Sequence, residues 1–189
     1  MSDFSPFLAR NRTFAATAAH EGLPPVPAHQ LLVVTCMDPR VDPAHVLGVD
    51  LGDALVIRNA GGRVTDDVLT EVAFLGQVTA MMFGDTAPPF EVAVVHHTAC
   101  GSGLLADPDF RRSLATTTGT PASRLAELAV TDPAVSVRAD VERLRSWPAL
   151  PARAHVSGHV YDVDTGLVTT VDAGRADPDT IDGTVAART

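Results

Sequence analysis

The sequence predicts an α/β fold: a mainly parallel central sheet flanked by helices, with an antiparallel edge strand and an N-terminal helical arm. Short runs of Val, Leu and Ile at residues 30–35, 54–58 and 91–96 read as strands buried on both faces. Helix-start signatures fall between and after these runs, so strands and helices alternate as parallel crossovers require. Near the end, Ala154–Val163 and Leu167–Val171 flank Asp164-Thr165-Gly166, the pattern of a hairpin.

In chain order, residues 4–19 carry Phe4, Phe7, Leu8, Phe14 and several Ala at roughly helical spacing. This reads as a short amphipathic arm that packs on a neighbour or on its own domain. Leu23-Pro24-Pro25-Val26-Pro27 follows as a stiff extended connector. After the first strand, Asp42-Pro43-Ala44 reads as an N-cap with Pro at the first helical position. Thr65 can cap a helix running to about residue 83, and Asp66 and Asp67 suit its first turn. Asp107-Pro108 repeats the cap-plus-proline device. Residues 134–146 form a further helix, with Val135, Val137, Val141 and Leu144 available for burial.

At 189 residues the chain reads as one domain, with residues 1–22 as the arm and 172–189 as a flexible tail. Hydrophobic residues make up 46% and charged residues 20%, a globular balance. No apolar run approaches the ~18–20 residues that span a bilayer. Met1-Ser2-Asp3-Phe4 lacks a basic region leading into an apolar stretch, so it does not read as a signal peptide. A cytoplasmic protein with reduced thiols is expected. The net charge is −9, every basic residue is Arg, and the largest basic cluster is Arg111-Arg112. That pattern speaks against nucleic acid as a partner.

Both cysteines sit at strand ends. Cys36 lies in Cys36-Met37-Asp38-Pro39-Arg40, after Leu31-Leu32-Val33-Val34-Thr35. Cys100 lies in His97-Thr98-Ala99-Cys100-Gly101, after Val92-Ala93-Val94-Val95-His96. The C-terminal edge of a parallel sheet is where sites are built. Two thiolates and the His97 imidazole make a three-ligand set for Zn²⁺, with a fourth position left for water or a carboxylate. The bland alternative is a pair of buried structural thiols. Asp38 and Arg40, two residues apart, can form a carboxylate–guanidinium contact.

Cys-x-Asp-x-Arg followed by His-x-x-Cys resembles the signature of the β-class carbonic anhydrases. Arg58-Asn59-Ala60-Gly61, the helix start Thr65-Asp66-Asp67, His96-His97-Thr98 and the final hairpin extend the likeness over roughly residues 4–171, and are most similar to a compact bacterial branch. The resemblance implies one Zn²⁺ per chain held by Cys36, His97 and Cys100, with Asp38 and Arg40 as the catalytic dyad. It implies that Asp38 either binds zinc, closing the site, or pairs with Arg40 and leaves room for water. It implies attack of zinc hydroxide on CO2 to give bicarbonate and a proton, and a homodimer or higher oligomer whose arm embraces its partner. Two thiolates cancel the ion's charge, so this zinc is a weaker Lewis acid than one held by three imidazoles. Two other readings stand beside this one: hydrolysis of carbonyl sulfide or carbon disulfide at the same zinc, and a non-enzymatic zinc-stabilised module used in binding or redox sensing.

The remaining features have blander expectations. His96 alternates with His97 along a strand and reads as packed or hydrogen-bonded. His45 is a surface histidine or a proton relay, and Arg58 is an ion-pair former or a contact to a partner chain. Asp66 and Asp67 are helix-start charges, one of them within possible reach of Arg58 or the site rim. Ala60-Gly61-Gly62 is either a tight turn or a close backbone approach to the site. Gly101 and Gly103 are expected to free N–H groups towards the sulfurs. Val41, Ala60 and Val64 are expected around the entrance. Pro39 departs from the family's usual small residue and removes an N–H there. Ala99 also departs from the pattern, with no evident consequence.

Overall fold

The computed structural model describes residues 3–174. Its order is α1 (Ser5–Ala15), β1 (Leu31–Cys36), α2 (Pro43–Val46), β2 (Ala54–Asn59), α3 (Asp66–Phe83), β3 (Phe90–His97), α4 (Pro108–Thr118), α5 (Ala122–Glu127), α6 (Pro133–Arg145), β4 (Ala154–Tyr161) and β5 (Val168–Asp172). The five strands form one sheet in the order β2-β1-β3-β4-β5. β5 alone runs antiparallel to its neighbour, at the edge, as the hairpin pattern requires.

The helix starts follow from their caps. Asp42 accepts from Ala44 N–H, Thr65 from Val68 N–H, and Asp107 from both Asp109 and Phe110 N–H. Each satisfies donors that a helix start leaves bare. α6 uses the same device one residue earlier than the apolar pattern indicates, with Asp132 capping and Pro133 first in the helix. The short α5 was not anticipated: its Ala122-Ser-Arg-Leu-Ala-Glu segment has no side-chain cap and buries Leu125 alone.

One face of the sheet carries the main core. Leu32, Val34, Val92, Val94 and Val156 meet Val68, Leu69 and Val72 of α3 and Val137, Val141 and Leu144 of α6. These are alternate strand positions and one helical stripe, the two periodicities that match. Val135 departs from expectation: it is 62% exposed, because it lies off the Val137–Val141–Leu144 stripe. Val33, Thr35 and Val95 on the other face are buried too, and Thr35 Oγ1 donates to Val95 O at 2.8 Å.

The arm resolves one alternative. α1 buries no residue on its own chain, and Phe4, Phe7, Leu8 and Phe14 remain 41–67% exposed. Asp172, the first residue of the expected tail, instead ends β5 and pairs with Arg145 at 2.8 Å. Residues 175–189 lie outside the described residues. Among the described residues no helix is long and apolar enough to cross a membrane.

The topology selects a place for a site. β1 connects out to β2 on one side, whereas β3 connects out to β4 on the other. The C-terminal ends of β1 and β3 therefore form the point where connections diverge, and a crevice opens there. Burial makes a direct prediction: Leu144→Ala should cost about 2–5 kcal/mol, whereas Val135→Ala should stay within about 0.5 kcal/mol. Urea unfolding of both variants checks this, and similar costs would contradict the assigned stripe.

Candidate metal centre

Cys36 is the last residue of β1 and His97 the last of β3, so parallel pairing delivers both to one sheet edge. The chain then turns tightly and returns Cys100 to the same spot. Ala99 makes that turn in the left-handed region, at φ 52°. The turn aims Ala99 O at Arg40 Nη2, 3.1 Å away. The alanine noted above as a departure thus couples the two motifs.

Donor atoms of Cys36, His97 and Cys100 lie within 4.8 Å of one another. Both cysteines are free, and their sulfurs are 3.9 Å apart. His97 Nδ1 donates to Thr98 O at 2.9 Å, which leaves Nε2 buried and without a partner. A buried polar atom of this kind needs a partner. The donor set fits zinc: a tetrahedral ion with Zn–S bonds of about 2.3 Å holds two sulfurs roughly 3.8 Å apart. The mutual hydrogen bond of the two thiols raises the pKa of Cys36 and lowers that of Cys100, which His97 and Ser102 lower further.

Asp38 is not in the donor group. Arg40 grips it with two parallel bonds, Nε to Oδ1 at 2.9 Å and Nη2 to Oδ2 at 2.7 Å. Arg40 N–H adds a third bond to Oδ1. The Arg40 side chain holds the Asp38 carboxyl down at about 2, against the opposing effect of partial burial. Pro39 is the first residue of a single 3₁₀ turn capped by Asp38, a position whose N–H has no partner in a helix start. Its missing N–H therefore costs nothing here. Arg58 straps the same loop, reaching Cys36 O, Asp38 O and Asp42 Oδ2 at 2.5–3.0 Å. The ion-pair reading of Arg58 is correct, and Asp42 is its carboxylate.

Gly61 and Gly62 turn out to satisfy both readings of their segment. They form a turn at φ 85° and 67°, and a Cβ on Gly62 would sit 2.8 Å from Cys36 N. Backbone presses directly on the end of β1. Asn59 closes the turn, accepting from Arg63 N–H and donating to Arg63 O. Behind it, His96 Nε2 donates to Gly62 O at 3.1 Å and lies 3.2 Å from Asp140 Oδ2. Arg63 binds both oxygens of Asp140 and the carbonyls of Glu127 and Ala129. His96 is thus a hydrogen-bonded histidine on the helix face, opposite the face of His97.

Several expectations need correction. Gly103 N–H goes to Cys100 O, not to a sulfur. The sulfurs instead receive Asp38 N–H, at 3.5 Å from Cys36, and the Ser102 hydroxyl, at 3.1 Å from Cys100. Ser102 was missed, and its position two residues beyond a cysteine in a turn was the available signal. Val41 and Val64 are 1% exposed core residues and do not reach the entrance. The cavity beside the site, about 300 Å³, is lined by Ala60 together with Met37, Leu105, Phe110 and Leu114. Asp66 pairs with Arg124 and Arg143 and does not touch Arg58. His45 is exposed on α2.

A carbonic anhydrase family profile matches residues 31–109. The β-carbonic anhydrase 1 of Mycobacterium tuberculosis is 34% identical over 166 residues, 87% of this chain and 95% of that relative. This chain belongs to the β-carbonic anhydrase family. A carbonic anhydrase structure from Streptococcus mutans superposes with a TM-score of 0.76 at 37% identity, covering 91% of this chain and 99% of the other. A carbon disulfide hydrolase of Acidianus sp. is 30% identical, covering 72% of this chain and 74% of the relative. The β-carbonic anhydrase assignment agrees with the mostly parallel five-stranded sheet.

The buried ion pair behind the Gly61–Gly62 turn carries a stability prediction. Burial pushes the Asp140 carboxyl up, but bonds from His96 and Arg63 outweigh this and leave its pKa lowered. A carboxylate with a depressed folded pKa stabilises above its unfolded value and loses that contribution as pH falls through the folded value. Asp140→Ala strands Arg63 and should cost about 3–5 kcal/mol near neutral pH. The difference from the unsubstituted protein should shrink below about pH 4, the ordinary carboxylate range. Thermal unfolding across that range measures it, and a pH-independent difference would contradict the assignment.

Proposed function

We propose that this protein is a zinc enzyme that hydrates CO2 reversibly to bicarbonate and a proton. The observation that carries the reading is the partnerless His97 Nε2 grouped with two free sulfurs, beside a carboxylate locked by arginine. Cys36, His97 and Cys100 would hold the ion. Zinc so held supplies Lewis acidity that makes water nucleophilic near neutral pH.

The chain's own residues supply the rest. Arg40 keeps Asp38 turned away from the donor group, so Asp38 would be left to act on the reactant and not on the ion. Asp38, ionised throughout the working range, accepts a hydrogen bond from the reacting water and orients its lone pair towards CO2. Arg40 is held in turn by Ala99 O on the opposite loop, which fixes the dyad relative to the donors. The apolar lining suits CO2, which has no net dipole, better than charged bicarbonate.

A second reading is hydrolysis of carbon disulfide or carbonyl sulfide, linear molecules attacked at carbon in the same way. The Acidianus relative and the apolar lining favour keeping it.

The uncovered arm supports a homodimer or a higher homo-oligomer, since Phe4 at the start of α1 and Phe7, Leu8 and Phe14 on it have no cover from the described residues.

Stopped-flow CO2 hydration by reduced, zinc-loaded protein tests the first reading, and no turnover at one zinc per chain would refute it. Asp38→Asn should lower kcat by about 10²–10⁴-fold while retaining zinc. Sedimentation at micromolar concentration should give at least twice the chain mass. Removing residues 1–22 should yield monomer; an unchanged mass would detach the arm from assembly.

A further inference from the structure

β3 ends at His97, but its bonding to β4 runs one residue further. Thr98 N–H donates to Tyr161 O at 3.0 Å, just beyond the His97–Tyr161 pair that ends the parallel register. The Thr98 hydroxyl accepts from Val163 N–H, also at 3.0 Å. Thr98 O accepts from His97 Nδ1 at 2.9 Å. A carbonyl only accepts, so Nδ1 carries the ring proton and Nε2 presents its lone pair. One residue therefore links the chain leaving β4 to the imidazole of a donor.

The hairpin end of this link is built to hold still. Asp162 N–H donates to Leu167 O at 2.9 Å, and Asp162 O accepts from Gly166 N–H at 2.8 Å. Asp162 Oδ1 accepts from Asp164 and Thr165 N–H at 2.9 and 2.8 Å. Gly166 completes the turn in the left-handed region, at φ 73°. These bonds fix the loop to which Val163 belongs. From the other side, Arg40 Nη2 holds Ala99 O at 3.1 Å. Thr98 and Ala99 are thus gripped by the hairpin and by the Asp38–Arg40 pair. A carbonyl has no rotamer of its own and is aimed only by fixing its residue. Loss of the hairpin grip would free Thr98 O, and with it the ring of His97.

We propose that Thr98 is a positioning residue for His97: its hydroxyl ties the carbonyl that sets the imidazole's tautomer and aim to the β4–β5 hairpin. The hairpin contains none of the three donors, yet through Thr98 it governs how tightly zinc is held. This rests on the reading of Cys36, His97 and Cys100 as the zinc ligands. Groups that orient a ligating histidine through its second nitrogen contribute about 10–100-fold to metal affinity, which sets the scale of the expected effect.

The test is zinc competition against a chromophoric chelator, with the reduced full chain. Thr98→Val keeps the shape of the side chain, removes the acceptor and leaves Val163 N–H bare. It should weaken zinc binding about tenfold or more, and Thr98→Ser should restore it to within about threefold. Asp162→Ala removes two bonds of the turn and none of the donors, and should weaken zinc binding in the same direction; it decides the matter should Thr98→Val fail to fold. A purely structural role would lower the unfolding temperature of the metal-free variants and leave zinc affinity unchanged. Unchanged affinity in Thr98→Val and Asp162→Ala overturns the proposal, as does a loss that Thr98→Ser fails to restore. If the unsubstituted protein binds no zinc, the ligand reading fails, and proton NMR of the metal-free, reduced chain still decides the role of Thr98. The His97 Nδ1 proton should exchange with water about tenfold faster or more in Thr98→Val. Equal exchange in the two proteins overturns the proposal by itself.

Discussion

Thr35 pairs with Val95 in parallel register, and the distance between the two sulfurs descends from that pairing. A parallel neighbour places the next residues of both strands at the same edge. Cys36 and His97 then differ by one step along the sheet, and a single tight turn returns Cys100 to within 3.9 Å of Cys36. The connections out of β1 and β3 diverge, so no crossover covers this edge. The turn depends on Ala99 in a left-handed conformation that most residues avoid. The strain is offset by a carbonyl placed where Arg40 needs an acceptor. Register, turn and dyad thus form one mechanical unit.

Charge is managed by separating two carboxylates into different roles. Asp38 is reachable from the cavity and kept ionised by Arg40. Asp140 lies behind the Gly61–Gly62 turn, almost wholly buried, and answers to Arg63 and His96. The first can accept a hydrogen bond from a reactant. The second holds the backbone that presses on Cys36. Adjacent histidines divide in the same way. His97 turns its partnerless Nε2 towards the donors, while His96, whose Nδ1 is partnerless too, faces the helices and braces Gly62 O through Nε2. Strand alternation alone produces that division.

The apolar residues also divide. Those at alternate strand positions close the core against α3 and α6. Those of α4 meet the cavity instead, because the cap at Asp107 and the bond from Arg111 to Leu105 O fix how the helix is rotated. The α4 face presents an apolar surface that suits a substrate without a dipole.

Strands, helices and caps were legible in the sequence, because apolar period and capping residues are local properties. The strand ends carrying Cys36, His97 and Cys100 were legible for the same reason, and so was the Asp38–Arg40 contact, two residues apart. Tertiary structure decided what depends on distant partners. Val41 and Val64 read as entrance residues because they lie near the motifs in sequence, yet packing buries them, and Phe110 and Leu114 take that place from a later helix. Nothing local in Arg63 or Asp140 announces their bond, since 77 residues separate them. Ser102 reaches a sulfur only through the shape of its turn. Sequence by itself determined the elements and the chemical identity of the donors; the parallel register and the packing of α4 and α6 decided their spacing, their bracing and the surface a substrate meets. Local periodicity encodes which face of an element is apolar, but distances between groups far apart in the chain exist only once the sheet has closed.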